Sequence, residues 1–167
     1  VDQELADFCH TQHRRLVGML SLYCRDRDIA EELAQDAIIR VITNWDTVRR
    51  CDSPPAWACR VAINLANSHL RRRLAERRAA RRLHSRPAPV PHQPDTPTAV
   101  AVRAAVAGLP QRQRAVVVLR FFADLPVREV SDILGCPEGT VKTLTARALA
   151  ALRATGLSEL REVTDAR

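Results

Sequence analysis

A chain of 167 residues has room for one ordinary domain or two small ones, and 46% hydrophobic against 27% charged residues suits a folded protein. The formal net charge of +7 and a pI near 10.1 favour a polyanionic partner, because each Lys or Arg set on a phosphate releases condensed counterions. Only 5 Gly and few β-branched runs argue against a sheet protein; no apolar stretch spans a bilayer and no signal peptide is evident, which excludes a membrane span and points to the cytoplasm.

Taken in chain order, the first expected helix covers residues 3–23, with Leu5, Phe8, Cys9, Leu16 and Leu20 near one face. The second, over 28–44, has a clearer pattern. Ala30, Leu33, Ala34, Ala37, Ile38 and Val41 recur at i, i+3, i+4 and i+7, the signature of an amphipathic helix. Asp28 is its expected N-cap, with Glu31 completing a capping box. Its outer face carries Glu31, Glu32, Gln35 and Asp36, with Ile39 and Thr43 further along. An acidic patch does not bind DNA. It suits a basic protein surface, although an ordinary solvated face has the same spacing.

Asp52-Ser53-Pro54-Pro55 starts the next helix, proline being tolerated in a first turn, and the helix is expected to run to about residue 84. Within "WACRVAINLANSHLRRR", Trp57, Arg60, Asn64, Asn67 and Arg71 are spaced by three or four and form one stripe. An indole can stack on an unpaired base, amides can bond base edges and guanidiniums can hold the backbone. Arg72, Arg73, Arg77, Arg78, Arg81 and Arg82 prolong the basic end. Singly, these residues read as a packed ring, an internal amide and a solvated face. As one stripe they favour nucleic acid.

Residues 86–98, "RPAPVPHQPDTPT", hold five of the ten prolines and read as an extended, semi-rigid tether. They divide the chain into a block over 1–84, a linker over 85–98 and a second block over 99–167. In the second block, helices are expected over 99–107, 111–122, 126–134 and 138–154, broken by "GLP" at 108–110 and "GCP" at 135–137. Val127, Val130, Ile133 and Leu134 give the third helix a buried face, and Gly135 sits where the turn needs a left-handed residue. Val141, Thr145, Ala148 and Leu152 give the fourth its inner face. The fold class is all-α, two small helical bundles on a tether.

The last pair of helices has helix-turn-helix spacing, in which the first braces and the second enters the major groove. A hairpin that packs and binds nothing is the plain alternative. The outer face of the second helix carries Glu138, Lys142, Thr143, Ala146, Arg147 and Ala150. Thr140 lies at the helix start, beside N–H groups that suit a phosphate. Lys142 and Arg147 can hold phosphates or a guanine edge, Thr143 a base or a phosphate, and Leu144 only an apolar group such as a thymine methyl. Such a helix positions well and reads little, so it needs a second DNA contact or a larger partner.

The cysteines Cys9, Cys24, Cys51, Cys59 and Cys136 are odd in number and lack any Cys-x-x-Cys, so no disulfide framework is expected. Cys9, His10 and His13 come nearest to metal-ligand spacing, and no second pair completes it. A metal-dependent enzyme built on them is one rival reading. No cofactor is expected, and no Ser-His-Asp arrangement or Gly-rich phosphate loop is evident. A free-standing helix-turn-helix regulator is the other rival; it leaves the Trp57–Arg71 stripe and the acidic helix idle.

Together these residues resemble a bacterial group 4 sigma-70 factor, the extracytoplasmic-function class. "DIAEELAQDAIIRVITNWD" is similar to the family's region 2.1–2.2, "SPPAWACRVAINLANSHLRRR" to region 2.3–2.4, and "LPQRQRAVVVLRFFADLPVREVSDILGCPEGTVKTLTARALAALR" to region 4. Three segments in the right order are far more specific than one helix-turn-helix. The resemblance implies a promoter-specificity subunit that catalyses nothing itself. It implies that Glu31, Glu32, Gln35 and Asp36 dock on the β′ clamp helices of core RNA polymerase, with the β flap a further contact. It implies that Trp57, Arg60, Asn64 and Asn67, continued by Arg71 on the same stripe, open and read the −10 element, with one base flipped near Asn64. Flipping exposes an edge that is otherwise paired. Thr140, Lys142, Thr143, Leu144 and Arg147 match the −35-reading helix, and an anti-sigma factor is a possible partner. Thr143-Leu144-Thr145-Ala146 stands where the family often carries Ser-Arg-Leu-His or a similar run, and Asp95 is the tether's only acid.

Overall fold

The computed structural model describes residues 3–80 and 97–155. Most of the expected tether, and the expected end of the basic helix at 81–84, lie outside them. The chain divides into two compact units, residues 1–93 and 94–167, and every regular element among the described residues is helical.

In the first unit, α1 (Gln3–Cys24) buries Leu16, Met19, Leu20 and Tyr23, which recur at helical spacing, together with Gln12. Leu5, Phe8 and Cys9, expected on the same face, are only half-buried. Arg25 turns the chain with a positive φ of 65°, and α2 (Arg27–Thr43) follows at once. Its N-cap is Asp26, where Asp28 was expected. Asp26 has the extended backbone of a cap, and its Oδ1 accepts from the Ile29 N–H at 3.2 Å. The other carboxylate oxygen lies 3.9 Å from Arg73 of a later helix, which a cap at Asp28 would forgo. Asp28 sits in the first turn, still favoured by the helix dipole. Glu31 serves in an ion pair with Arg27 at 3.2 Å and not in a capping box.

Ala30, Leu33, Ala34, Ala37 and Val41 form the buried face of α2, and Ile38 is half-buried. A four-residue helix, α3 (Trp45–Val48), was not expected. Its Val48 is fully buried, and its Trp45 ring meets Phe8 of α1 at a centroid distance of 5.3 Å. The long α4 (Pro54–Ala80) begins where the Ser53 hydroxyl accepts from the Ala56 N–H at 3.4 Å. Its buried face is Ala56, Ala58, Cys59, Ala62, Ile63 and Ala66. Four of these are alanines, which let its backbone lie close to α1 and α2. Leu20 is fully buried in this core, and truncating such a leucine to alanine costs about 2–5 kcal/mol.

The second unit comprises α5 (Pro97–Gly108), α6 (Gln111–Val117), a π-helical turn over Val118–Phe122, α7 (Val127–Leu134) and α8 (Glu138–Ala154). The buried Arg114 guanidinium donates to the Ala107 and Leu109 carbonyls at 3.0 and 2.9 Å, satisfying the end of α5. In the π turn, the Ala123 N–H reaches back to the Val118 carbonyl at 2.9 Å. Val118 and Leu119 are fully buried, so regular α geometry would bury Phe122 with them. The wider turn swings it out, and it is 46% exposed. α6 and α7 both pack on α8.

Candidate nucleic-acid interface

Along α4, the face away from the alanines is polar. Arg60, Asn64 and Arg71 are exposed, while Trp57 and Asn67 are half-buried at its flank. The five therefore share one helix face, as their spacing implies. Asn67 is held from within the bundle: the Tyr23 hydroxyl of α1 donates to its Oδ1 at 2.6 Å. Sequence reasoning missed this bond, which joins residues 44 positions apart.

The end of α4 is strongly basic. Arg72 approaches Glu76 and Arg73 approaches Asp26, each at 3.9 Å. Among the described residues, Arg60, Arg77 and Arg78 form no ion pair, so their charge faces outward. His69 lies beside this cluster. Burial pushes its imidazole below the ordinary value, Arg72 and Arg73 push it further down, and Glu32 and Asp26 pull it partly back. Its Nδ1 is 3.5 Å from an Arg72 nitrogen, and its buried Nε2 has no hydrogen-bond partner among the described residues.

In the second unit, Gly135 ends α7 in the left-handed conformation, with φ 61° and ψ 41°. The turn is locked by the Cys136 N–H donating to the Ser131 carbonyl at 3.2 Å, and by the Ser131 hydroxyl donating to the Cys136 carbonyl at 2.6 Å. α8 then buries Val141, Ala148 and Leu152. Thr145, expected on that inner face, is half-buried. Its hydroxyl donates to the Val141 carbonyl at 2.8 Å, which lets it stand beside a core.

Glu138, Lys142, Thr143, Ala146, Arg147 and Ala150 are all exposed, and Thr140 and Leu144 are half-buried beside them. The Thr143 hydroxyl donates to the Gly139 carbonyl at 2.9 Å. With its proton engaged there, Thr143 meets a partner as an acceptor or through its methyl group. Two arginines of this unit have structural work: Arg114 as above, and Arg120, whose guanidinium donates to the Leu125 carbonyl. Lys142, Arg147 and, in the last turn, Arg153 are the exposed cations of α8.

On α2, Glu32, Gln35 and Asp36 are exposed and Glu31 is half-buried beside Arg27. The same face continues into Ile39 and Ile42, which are 58% and 50% exposed. Ile42 was missed in the sequence, although it follows Gln35 and Ile39 at helical spacing. The surface is thus acidic at one end and apolar at the other. Cys9, His10 and His13 do not converge with others: among the described residues, no three His, Cys, Asp or Glu side chains could hold a metal ion. Burial pushes the Cys9 thiol up, away from the thiolate that metals bind. No helix among the described residues is long and apolar enough to cross a membrane.

Residues 9–76 match the family model for sigma-70 region 2, and residues 99–152 match that for sigma-70 region 4. The chain is 31% identical over 140 residues to the ECF RNA polymerase sigma factor SigM of Mycobacterium tuberculosis, spanning 84% of this chain and 70% of that protein. It is 28% identical over 150 residues to the RNA polymerase sigma factor SigV of Bacillus subtilis, spanning 87% of each. Its fold is similar to that of the sigma factor RpoE of Bartonella quintana, solved with the anti-sigma factor NepR. That match has a TM-score of 0.72 at 23% identity and covers 92% of this chain and 94% of the other.

Proposed function

This chain belongs to the extracytoplasmic-function class, group 4, of the sigma-70 family, and from that membership we propose how its surfaces divide the work of directing RNA polymerase to promoters. As a sigma factor it is a specificity subunit and not an enzyme; the polymerase performs phosphoryl transfer. In our reading, α8 grips duplex −35 DNA through Thr140, Lys142, Thr143, Leu144 and Arg147, chiefly by holding phosphates. α4 captures melted −10 DNA through Trp57, Arg60, Asn64, Asn67 and Arg71. The polar stripe on α4 carries this reading: Arg60, Asn64 and Arg71 are exposed, with Trp57 and Asn67 half-buried beside them.

α2 docks on the β′ clamp helices through Glu31, Glu32, Gln35 and Asp36, with Ile39 and Ile42 adding apolar contact. Opposite charge speeds such an encounter, and buried apolar area holds it. In the second unit, Phe122, presented by the π turn, offers an apolar contact for the β flap. The segment between α4 and α5 joins the two units as a linker, with residues 97 and 98, expected in it, belonging to α5 instead, and the protein works in the cytoplasm, where polymerase and promoters are. An anti-sigma factor is a further proposed partner, since the Bartonella quintana protein was solved with one.

Shared work explains the sparse α8 surface. Two weak contacts carried on one polymerase raise apparent affinity without adding contacts at either site. Run-off transcription with purified core enzyme and a promoter library tests the proposal. It predicts transcripts that depend on this chain and share −10 and −35 elements. Tight, polymerase-independent binding to a palindrome, with no binding to core, would contradict it.

A further inference from the structure

The −10 assignment above is the premise for a second one. From the bond between α1 and α4 we infer that Tyr23 is a positioning residue for base recognition. Its buried hydroxyl sets the orientation of the Asn67 amide, and so selects which base α4 accepts at the position Asn67 faces.

Tyr23 is 1% exposed, near the end of α1, with its ring in the core of the first unit. Its hydroxyl therefore has no water to turn to, and a phenol in such a place must find a partner inside the protein. It finds Asn67 Oδ1 at 2.6 Å. There the phenol is the donor, so the amide oxygen is the end that faces it. The two ends of an amide have opposite hydrogen-bonding sense, one accepting and one donating. A freely rotating amide satisfies either kind of base edge. An amide whose oxygen takes the phenol proton is held to one sense, because a half-turn would set its N–H groups against the phenol oxygen and remove the amide oxygen as acceptor of that buried proton.

Asn64, one turn earlier on the same stripe, provides the internal contrast. It is exposed, and its side-chain amide makes no hydrogen bond among the described residues. The stripe thus carries one adaptable amide and one whose orientation is set from beneath. Presetting an orientation also removes part of the ordering cost of binding. Tyr23 touches no DNA in this account. It acts only through Asn67.

Tyr23→Phe tests the inference, since it keeps the ring and deletes only the hydroxyl. The readout is transcription by the holoenzyme from promoters carrying each of the four bases at every −10 position. The expected result is a loss of discrimination of roughly ten-fold at one position, the scale of one good base contact. Preferences at the remaining positions and core binding should stay as in the wild type. Asn67→Ala should erase preference at that same position, and the double variant should match Asn67→Ala alone. If Asn67→Ala changes the preference and Tyr23→Phe leaves it intact, the positioning role is wrong while the −10 assignment stands. If Asn67→Ala moves no preference, the assignment fails and takes the inference with it. A uniform loss at all positions, with a lower melting temperature, would reduce Tyr23 to a core residue and also overturn the inference.

Discussion

α4 and α8 are both long helices with one buried and one polar face, yet they are furnished differently. α4 presents an indole, two amides and guanidiniums, and one amide is fastened to the core by Tyr23. α8 presents small residues, three cations and a threonine whose proton is engaged by its own backbone. Unpaired bases offer flat faces and open edges, which reward rings and oriented amides. A duplex offers phosphates first, which reward charge and tolerate a plain surface. The difference teaches that discrimination should reside mainly in α4 and positioning mainly in α8.

The largest effect expected from this division is at Trp57. Trp57→Ala should weaken holoenzyme binding to a single-stranded −10 oligonucleotide by about 1–3 kcal/mol, the range for one stacked base, while leaving −35 duplex binding intact. Next is the turn that aims α8. Gly135 has φ +61°, so Gly135→Val should destabilise the second unit by about 1–2 kcal/mol. A lower urea midpoint with selective loss of −35 binding would bear this out. Lys142→Ala should weaken duplex binding almost equally for all sequences, and lower the slope of log affinity against log salt by about 1. A base-specific loss would instead make α8 a reader and blur the comparison.

The smallest effect is a pH dependence at the root of α4. The folded His69 pKa lies below its unfolded value, so the unfolded chain takes up this proton first. Its contribution to stability is present above the unfolded pKa and is lost as pH falls through it. The loss levels off once the folded ring is protonated too. Urea midpoints for the wild type and His69→Gln, taken from about pH 7.5 to about pH 5, should show a shallower acid-side loss in the variant.

Much of this was legible in the sequence because helical periodicity is local. The buried positions of α2 and the exposed positions of α8 could be counted off without coordinates. What escaped depended on distant partners or on ambiguous runs. Asp26 and Asp28 are both able caps, and Arg73 of α4 reaches the first of them. The Tyr23–Asn67 bond joins two helices and leaves no mark in either segment. α3 is four residues long, too short for any period to show. In "AVVVLRFF" seven of the eight residues are apolar, so neither the π turn nor the exposure of Phe122 could be read from it. Thr145 followed the expected face, but its hydroxyl needed the Val141 carbonyl to sit there.

The division of labour is tested most directly by one crossed experiment on holoenzymes. One carries Trp57→Ala, Asn64→Ala and Asn67→Ala; the other carries Lys142→Ala, Thr143→Ala and Arg147→Ala. Each is titrated with a single-stranded −10 probe and a −35 duplex from one selected promoter. The account predicts that the first loses only the single strand and the second only the duplex. Equal weakening of both probes by both variants would contradict it.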